Sequence, residues 1–208
     1  MMLEKKDYAK NIGVIILAAG SSTRLGRPKQ LLIYNGKTLL QHILQVAVDS
    51  IGHPVVVVLG AYAESIKENM PFPAADIVEN TIWHDGMASS IRCGILELVR
   101  KYPFAEGAVL MLCDQPYVTT SLINDLVLAH QNTGGLIVAS SYNDTIGAPA
   151  FFHKSIFPEL LQLNGDVGAR FLIKKHAHDV EVVYFSKGET DIDTEADYEQ
   201  FSKGNHQV

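Results

Sequence analysis

The chain has 208 residues, 47% hydrophobic and 19% charged, an ordinary balance for one globular domain with a sizeable core. Its 17 basic and 23 acidic side chains give a formal net charge of −6, which supplies no basic footprint for nucleic acid or an anionic membrane. Two cysteines are too few for a disulfide framework, and residues 1–11 are too polar for a secretory signal. We therefore expect a cytoplasmic protein without nucleic-acid or membrane partners.

Hydrophobic periodicity predicts alternating strands and helices along most of the chain. Apolar, mostly β-branched runs predict buried strands at 12–17, 54–59, 76–79, 108–113 and 136–140. Apolar residues at helical spacing predict helices at 38–48, 61–69, 86–101 and 119–132, the second ending at a Pro71–Pro73 break. This alternation is typical of a parallel sheet with helices on both faces. After residue 140 the rhythm changes to strands at 146–152 and 180–185 with two short helices between them, which predicts a smaller lobe.

The most informative stretch follows the first strand, where residues 17–30 read LAAGSSTRLGRPKQ. Small residues allow backbone N–H groups to approach phosphate oxygens, because no bulky side chain intervenes. The basic side chains of Arg24, Arg27 and Lys29 can neutralise the charge of a polyphosphate. The pattern therefore indicates a phosphate-binding loop.

Two better-known phosphate motifs do not fit this stretch. A P-loop would need glycine where Leu31 stands, six residues before Lys37. A dinucleotide fingerprint needs three closely spaced glycines, and only Gly20 and Gly26 follow the first strand. On these generic features, a surface loop with solvated basic side chains remains an alternative.

The stretch resembles the L-A-[AG]-G-x-S-x-R-[ML]-G-x-x-K signature of nucleotidyltransferases with the glycosyltransferase-A-like fold. It is most similar to the MobA-like group, and within it to molybdenum cofactor cytidylyltransferases. The resemblance implies a three-layer α/β/α fold with a mostly parallel central sheet, in one domain over residues 1–208. Residues of about 12–140 would bind nucleotide, and about 141–198 would form a small acceptor-side lobe. It also implies nucleotide contacts at Leu17, Ala18, Ala19, Gly20, Arg24 and Lys29, the last two being catalytic.

Asp114 directly follows a predicted central strand and precedes Gln115-Pro116. Ligands bind at the carboxyl ends of such strands, and Mg²⁺ prefers a few carboxylates together with phosphate oxygens. Capping of a turn is the structural alternative. The sequence resembles the family's metal-binding D-x-P motif, which implies that Asp114 is a catalytic metal ligand.

Asp193 is the predicted second Mg²⁺ ligand, with Asp191 as its competitor. Related proteins carry D-I-D-T or N-I-N-T followed by P-E-D at this point, where this chain has Glu-Ala-Asp after Thr194. Asp193 or Thr194 could instead simply cap the helix that follows.

Residues 86–90, GMASS, open a predicted helix close to Asn80, which ends a strand. A helix start offers unpaired N–H groups and, here, hydroxyls to a ligand. An ordinary serine-rich helix start is the alternative. The segment resembles G-M-[SA]-x-S-[IL]-x-x-G-[IL] of the cytidylyl-type members, whereas guanylyl-type members carry proline there, so cytidine is favoured. The implied nucleotide contacts are Asn80, Gly86, Met87, Ser89 and Ser90.

Two segments of the smaller lobe, GAP at 147–149 and GDVGAR at 165–170, resemble acceptor-facing motifs of the family. The implied acceptor-binding residues are Gly147, Pro149, Asp166 and Arg170. Asp166 could instead cap a helix and pair with Arg170 four residues later.

The resemblance implies Mg²⁺-dependent transfer of CMP from CTP to the molybdopterin-bound molybdenum cofactor, with release of pyrophosphate. The product would then pass to a molybdenum hydroxylase or its insertion chaperone. Three alternatives stay open: a sugar or polyol phosphate as acceptor, GTP as donor, or a non-catalytic cofactor-binding or insertion factor.

Overall fold

A mixed sheet forms the centre of the molecule, which the computed structural model describes over residues 11–72 and 74–204. The predictions for residues 1–10 and for Pro73 lie outside these ranges. The nine strands, in chain order, are β1 (Ile12–Ala18), β2 (Ile33–Tyr34), β3 (Lys37–Thr38), β4 (Val55–Leu59), β5 (Ala75–Glu79), β6 (Gly107–Leu112), β7 (Ile137–Tyr142), β8 (Thr145–His153) and β9 (Val180–Tyr184).

Seven of these strands form the sheet in the order β5-β4-β1-β6-β8-β7-β9. All neighbouring pairs are parallel except those of β8, which runs antiparallel to both β6 and β7. The predicted mostly parallel sheet is therefore confirmed. The apolar pattern does not show that β8 is antiparallel, because a strand buried on both faces is a continuous apolar run whichever way it pairs with its neighbours.

Helices cover both faces of the sheet, as predicted. They are α1 (Leu39–Val48), α2 (Ala63–Asn69), α3 (Met87–Lys101), α4 (Thr120–Thr133), α5 (Phe157–Leu161), α6 (Arg170–Lys175) and α7 (Glu195–Gly204). One apolar cluster packs α1, α2 and α4 on one face, and a second packs α3, α5 and α6 on the other. Thr38 caps α1 with a full capping box, and the Thr119 side chain caps α4. None of the helices in the described ranges has the length and apolar character needed to cross a membrane.

The chain after residue 140 extends the central sheet, because β8 lies between β6 and β7. The change of rhythm in the sequence thus marks the reversal at β8 and the shorter helices α5 and α6. The two-residue strands β2 and β3 pair in a hairpin that was not predicted, since they are too short to show a period.

Candidate active site

A cleft of about 510 Å³ opens at the carboxyl ends of β1 and β6. Ligands of open α/β sheets bind at this edge. The structure brings most of the predicted site residues together in its wall: Leu17, Ala18, Ala19, Gly20, Arg24, Lys29, Gly86, Met87, Ser90, Asp114, Asp166, Asp191 and Asp193. The roles assigned to them stay predictions.

The loop after β1 contains backbone N–H groups that are not hydrogen-bonded within the described part of the protein. Every carbonyl oxygen of residues 18–22 accepts a hydrogen bond within the protein. Gln30 Nε2 donates to the Ala18 and Gly20 carbonyls, and the Tyr62 hydroxyl donates to the Ser21 carbonyl. Backbone N–H groups serve the other two carbonyls: Ala61 donates to Ala19, and Leu25 and Gly26 donate to Ser22. The backbone N–H groups of residues 20–24 have no hydrogen-bond partner among the described residues. The Ser22 backbone has a φ of 51°, and such a left-handed residue in a turn helps successive N–H groups converge. The loop therefore has the polarity of an anion-binding site.

Two basic side chains of this loop are joined to the acidic side of the cleft. Lys29 Nζ lies 2.8 Å from Asp114 Oδ2 and 2.7 Å from Asp193 Oδ1. The exposed Arg24 guanidinium donates to Asp193 Oδ2 at 2.7 Å. Burial acts to lower the pKa of Lys29, but its two carboxylate partners outweigh burial and raise the pKa above its usual value. Burial likewise acts to raise the pKa of Asp193, but Lys29 and Arg24 outweigh it and lower the pKa. Lys29 and Asp193 are therefore both held in their charged forms.

Asp114 and Asp191 bring two further carboxyl groups close to Asp193 and the two cations. The Oδ1 atom of Asp114 is buried without a hydrogen-bond partner, which is costly for a carboxylate oxygen. Burial and the nearby carboxylates of Asp114 and Asp193 raise the pKa of Asp191 to about 7. Both features fit an additional cation at this point. The described residues include no group of three or more His, Cys, Asp or Glu side chains placed to hold a metal, so such a cation would take its remaining ligands from substrate or water.

Asn80 and Ser89 lie in a different position from the one predicted. They are 2% exposed and do not line the cleft. Asn80 Nδ2 donates to Ser89 Oγ at 2.7 Å and to Ser90 Oγ at 3.0 Å, and Ser89 Oγ donates to the Gly86 carbonyl at 2.7 Å. Of the three side chains only Ser90 reaches the cleft, so Asn80 and Ser89 support its wall from behind. A polar residue at a helix start does not reveal by sequence which way it faces.

The helix start at Gly86 and Met87 packs directly against the segment after α5. Gly86 has a φ of 89°, and a Cβ there would lie 2.5 Å from the Gly165 carbonyl oxygen, so only glycine fits. That same carbonyl accepts the Ala88 N–H at 3.1 Å. Met87 lines the cleft, and its backbone N–H has no partner among the described residues.

A second cavity of about 230 Å³ adjoins the cleft and shares Leu17, Met87, Leu112 and Asp191 with it. Gly147 and Arg170 line this cavity, together with Gln115 and Tyr142, which were not predicted. Its remaining lining is largely apolar. The predicted acceptor segments are therefore only partly brought together.

Pro149 and Asp166 do not line this second cavity. The Pro149 carbonyl accepts the Ser140 hydroxyl inside the sheet, while Asp166 faces the larger cleft. The proposed pairing of Asp166 with Arg170 is not found: Arg170 lies 3.5 Å from the Thr145 hydroxyl, and α6 has no side-chain cap.

Arg27 lies outside the cleft, where it pairs with Glu195 at 2.6 Å and faces the Tyr198 ring at 5.2 Å. Thr194 Oγ1 accepts the Asp197 N–H at 3.2 Å, so Thr194 rather than Asp193 caps α7. Asp193 is thereby left to face the cleft.

Known proteins are similar to this chain in sequence and in fold. Residues 14–180 match the family model described as the MobA-like NTP transferase domain. A Paenarthrobacter nicotinovorans protein named nicotine blue oxidoreductase is 30% identical over 191 residues, which are 86% of this chain and 91% of that protein. A Bacillus cereus protein named probable molybdenum cofactor guanylyltransferase is 30% identical over 105 residues, 50% of each chain. The Mycobacterium tuberculosis protein Rv0371c, solved in complex with manganese, is 31% identical with a TM-score of 0.76, over 92% of this chain and 98% of that one.

The family match includes Arg24, Lys29 and Asp114 and ends before Asp191 and Asp193. Structural neighbours of the chain are nucleotidyltransferases of the glycosyltransferase-A-like fold, so the predicted fold class is confirmed. Because the family model covers most of the chain and a 30% identical relative aligns along nearly all of it, the chain is a nucleotidyltransferase and belongs to the MobA-like NTP transferase family.

Proposed function

We propose that this chain transfers CMP from CTP to the terminal phosphate of a molybdopterin-type acceptor and releases pyrophosphate. The main support is the loop of residues 20–24, whose N–H groups lack partners among the described residues, while Lys29 lies against Asp114 and Arg24 against Asp193. Such N–H groups and basic side chains suit the β- and γ-phosphates of a nucleotide. A location in the cytoplasm is part of the same proposal.

Asp114 and Asp193 are the residues that would hold Mg²⁺, with Asp191 as the alternative to Asp193. The unpartnered Asp114 Oδ1 and the excess of carboxylates in the cleft support this assignment. When bound, Mg²⁺ supplies positive charge that neutralises phosphate oxygens. The manganese complex of Rv0371c supports a divalent cation, although it concerns that protein.

The other catalytic roles fall to residues of the chain itself. The N–H groups of residues 20–24, Arg24 and Lys29 would hold the β- and γ-phosphates in place and then stabilise the departing pyrophosphate. The acceptor's phosphate oxygen attacks the α-phosphorus in line, so one P–O bond forms as the bond to pyrophosphate breaks. A phosphate monoester has a second pKa near 6, and at neutral pH it needs no general base. Catalysis is therefore positioning and charge neutralisation.

Cytidine as the base is favoured by the helix start at Gly86. The free Met87 N–H can meet a base edge, and guanylyl-type members would have a proline in this segment. The second cavity, largely apolar but carrying Arg170, suits an acceptor with a ring system and an anionic group. The name of the Bacillus cereus relative supports the molybdenum cofactor as substrate class. A molybdenum hydroxylase or its insertion chaperone would receive the product.

The name nicotine blue oxidoreductase describes a redox reaction of the Paenarthrobacter relative. In this chain the groups gathered in the cleft are phosphate- and cation-binding ones, which suit phosphoryl chemistry. A sugar or polyol phosphate acceptor and GTP as donor are the nearest rivals, because they keep the same chemistry. A non-catalytic insertion factor would have no use for Lys29 and Arg24 beside a metal carboxylate.

A pyrophosphate-release assay with each of the four nucleoside triphosphates separates these possibilities. Each nucleotide is tested with molybdopterin-bound molybdenum, with a sugar phosphate and without acceptor. We expect release only with CTP and the molybdopterin acceptor. Release with a sugar phosphate would support that acceptor, and release with GTP would support a guanylyltransferase. No release with any combination would support a non-catalytic factor. Each of these results would contradict the proposal.

A further inference from the structure

Gln30 is a buried polar residue that directly follows Lys29 and has no place in the proposed chemistry. Gln30 is only 1% exposed, yet it is one of the residues that line the cleft. Its Nε2 donates to the Ala18 carbonyl at 2.7 Å and to the Gly20 carbonyl at 3.1 Å. Both N–H groups of the amide therefore donate hydrogen bonds, and these connect the end of β1 at Ala18 to Gly20 in the loop that follows.

The amide oxygen of Gln30 is buried without a hydrogen-bond partner. An unpaired buried acceptor is destabilising, and a leucine of similar size would fill the same space without it. The orientation of the amide is nevertheless fixed, because a flipped amide would bring its oxygen against two carbonyl oxygens. The two N–H bonds to the loop must therefore account for the presence of an amide here.

These bonds decide the polarity of the loop. With the Ala18 and Gly20 carbonyls held by Gln30 and the Ser21 carbonyl held by the Tyr62 hydroxyl at 2.9 Å, the carbonyl oxygens have partners inside the protein. The N–H groups of residues 20–24 then have no partner among the described residues, and Gly20, Ser21 and Arg24 line the cleft. A carbonyl released from its partner would be free to rotate toward the cleft and would repel a phosphate oxygen there.

We propose that Gln30 is a positioning residue, which holds the loop carbonyls so that the loop N–H groups form the polyphosphate site. This inference rests on the proposed function. The Tyr62 hydroxyl contributes in the same way, because it holds the Ser21 carbonyl. In this role Gln30 acts through the loop backbone and not on the reacting atoms.

The test measures binding of inorganic pyrophosphate and of CTP to the full chain by titration calorimetry, with Mg²⁺ present. Gln30→Leu removes both N–H donors and keeps the volume. We expect affinity for both ligands to fall about 10-fold, the effect of losing one to two ordinary hydrogen bonds, while affinity for the acceptor stays unchanged. Tyr62→Phe, which removes one hydroxyl from a half-buried ring, should give a smaller loss in the same direction, and it carries the test if the leucine variant does not fold.

The matched control is Ser50→Ala. Ser50 is 5% exposed, and its hydroxyl makes two hydrogen bonds in the turn between α1 and β4: it donates to the Ala47 carbonyl and accepts from the Gly52 N–H. Its loss should lower the melting temperature without changing pyrophosphate affinity. Wild-type affinity in both loop variants, or an equal loss in the Ser50 variant, would overturn the role of Gln30. Failure of the wild-type chain to bind either ligand would instead overturn the proposed function and the inference with it.

Discussion

The ammonium of Lys29 lies 2.8 Å from Asp114 Oδ2, so the proposed pyrophosphate-binding cation and the proposed metal-binding carboxylate touch each other. Asp193 takes the other side of the same ammonium at 2.7 Å. A triphosphate must compete with these carboxylates for Lys29, and a divalent cation must compete with Lys29 for the carboxylates. Each exchange makes the other easier, so metal and nucleotide are expected to bind together.

Replacing Asp114 with asparagine should abolish most turnover. The change keeps the size of the side chain but removes the charge that would hold Mg²⁺, and we expect turnover to fall at least ~100-fold, as for loss of a key electrostatic stabiliser. Steady-state rates and circular dichroism check this, with Asp125→Asn on the exposed surface of α4 as control. Near wild-type turnover in the Asp114 variant would remove it from the metal site.

Arg24→Ala and Lys29→Ala should each weaken both triphosphate binding and turnover. The physical reason is the loss of a positive charge beside the β- and γ-phosphates, whereas the acceptor alone should bind almost as before. Calorimetry with CTP and with acceptor measures the two separately, and Arg100→Ala, a solvent-exposed arginine on α3, is the control. An equal loss for nucleotide and acceptor would indicate a collapsed loop and contradict the assigned roles.

Asp193→Asn should weaken cation binding more than Asp191→Asn does. Asp193 shares the Lys29 ammonium with Asp114, so a cation near that ammonium is within reach of both carboxylates. We expect Mn²⁺ affinity to fall at least ~10-fold in the Asp193 variant, the lower end of what even outer partners of a metal cost. Electron paramagnetic resonance titrations give the affinities. The opposite ranking would make Asp191 the second ligand.

The chain should prefer CTP over GTP by roughly 10- to 200-fold in kcat/KM, the range that pocket size alone supplies. The Met87 N–H can meet the small pyrimidine edge, and the Met87 side chain leaves less room for a purine. Exchanging Met87-Ala88 for Pro-Leu removes that N–H and should narrow the preference. Equal values for the two nucleotides, or a preference for GTP, would contradict the cytidylyl assignment but not the membership of the family.

The sequence predicts the fold well because the strands buried on both faces are continuous apolar runs and the helices carry a clear apolar stripe. Boundaries of β1, β4 and α1 lie within one residue of the prediction. The antiparallel direction of β8 escapes it, since pairing direction depends on contacts between distant segments.

The site is predictable where chemistry is tied to a motif, as at Lys29 and Asp114, which the structure places in contact. It is less predictable where a polar residue could face either way. Asn80 and Ser89 were expected in the cleft and are buried behind it, while Gln30, in the cleft wall, was missed. Its only sequence signal is a position beside Lys29, and its partners are backbone carbonyls that no residue pattern reveals.

Transfer of CMP can be followed with CTP that carries ³²P at the α-phosphate, in the presence of a molybdopterin-type acceptor and Mg²⁺. The expected result is that the label appears in a new acceptor–nucleotide product, in equal amount to the pyrophosphate released, and that the Asp114→Asn variant forms almost none. Label that stays in free nucleotide while the acceptor binds, or that leaves as CDP with inorganic phosphate, would contradict it.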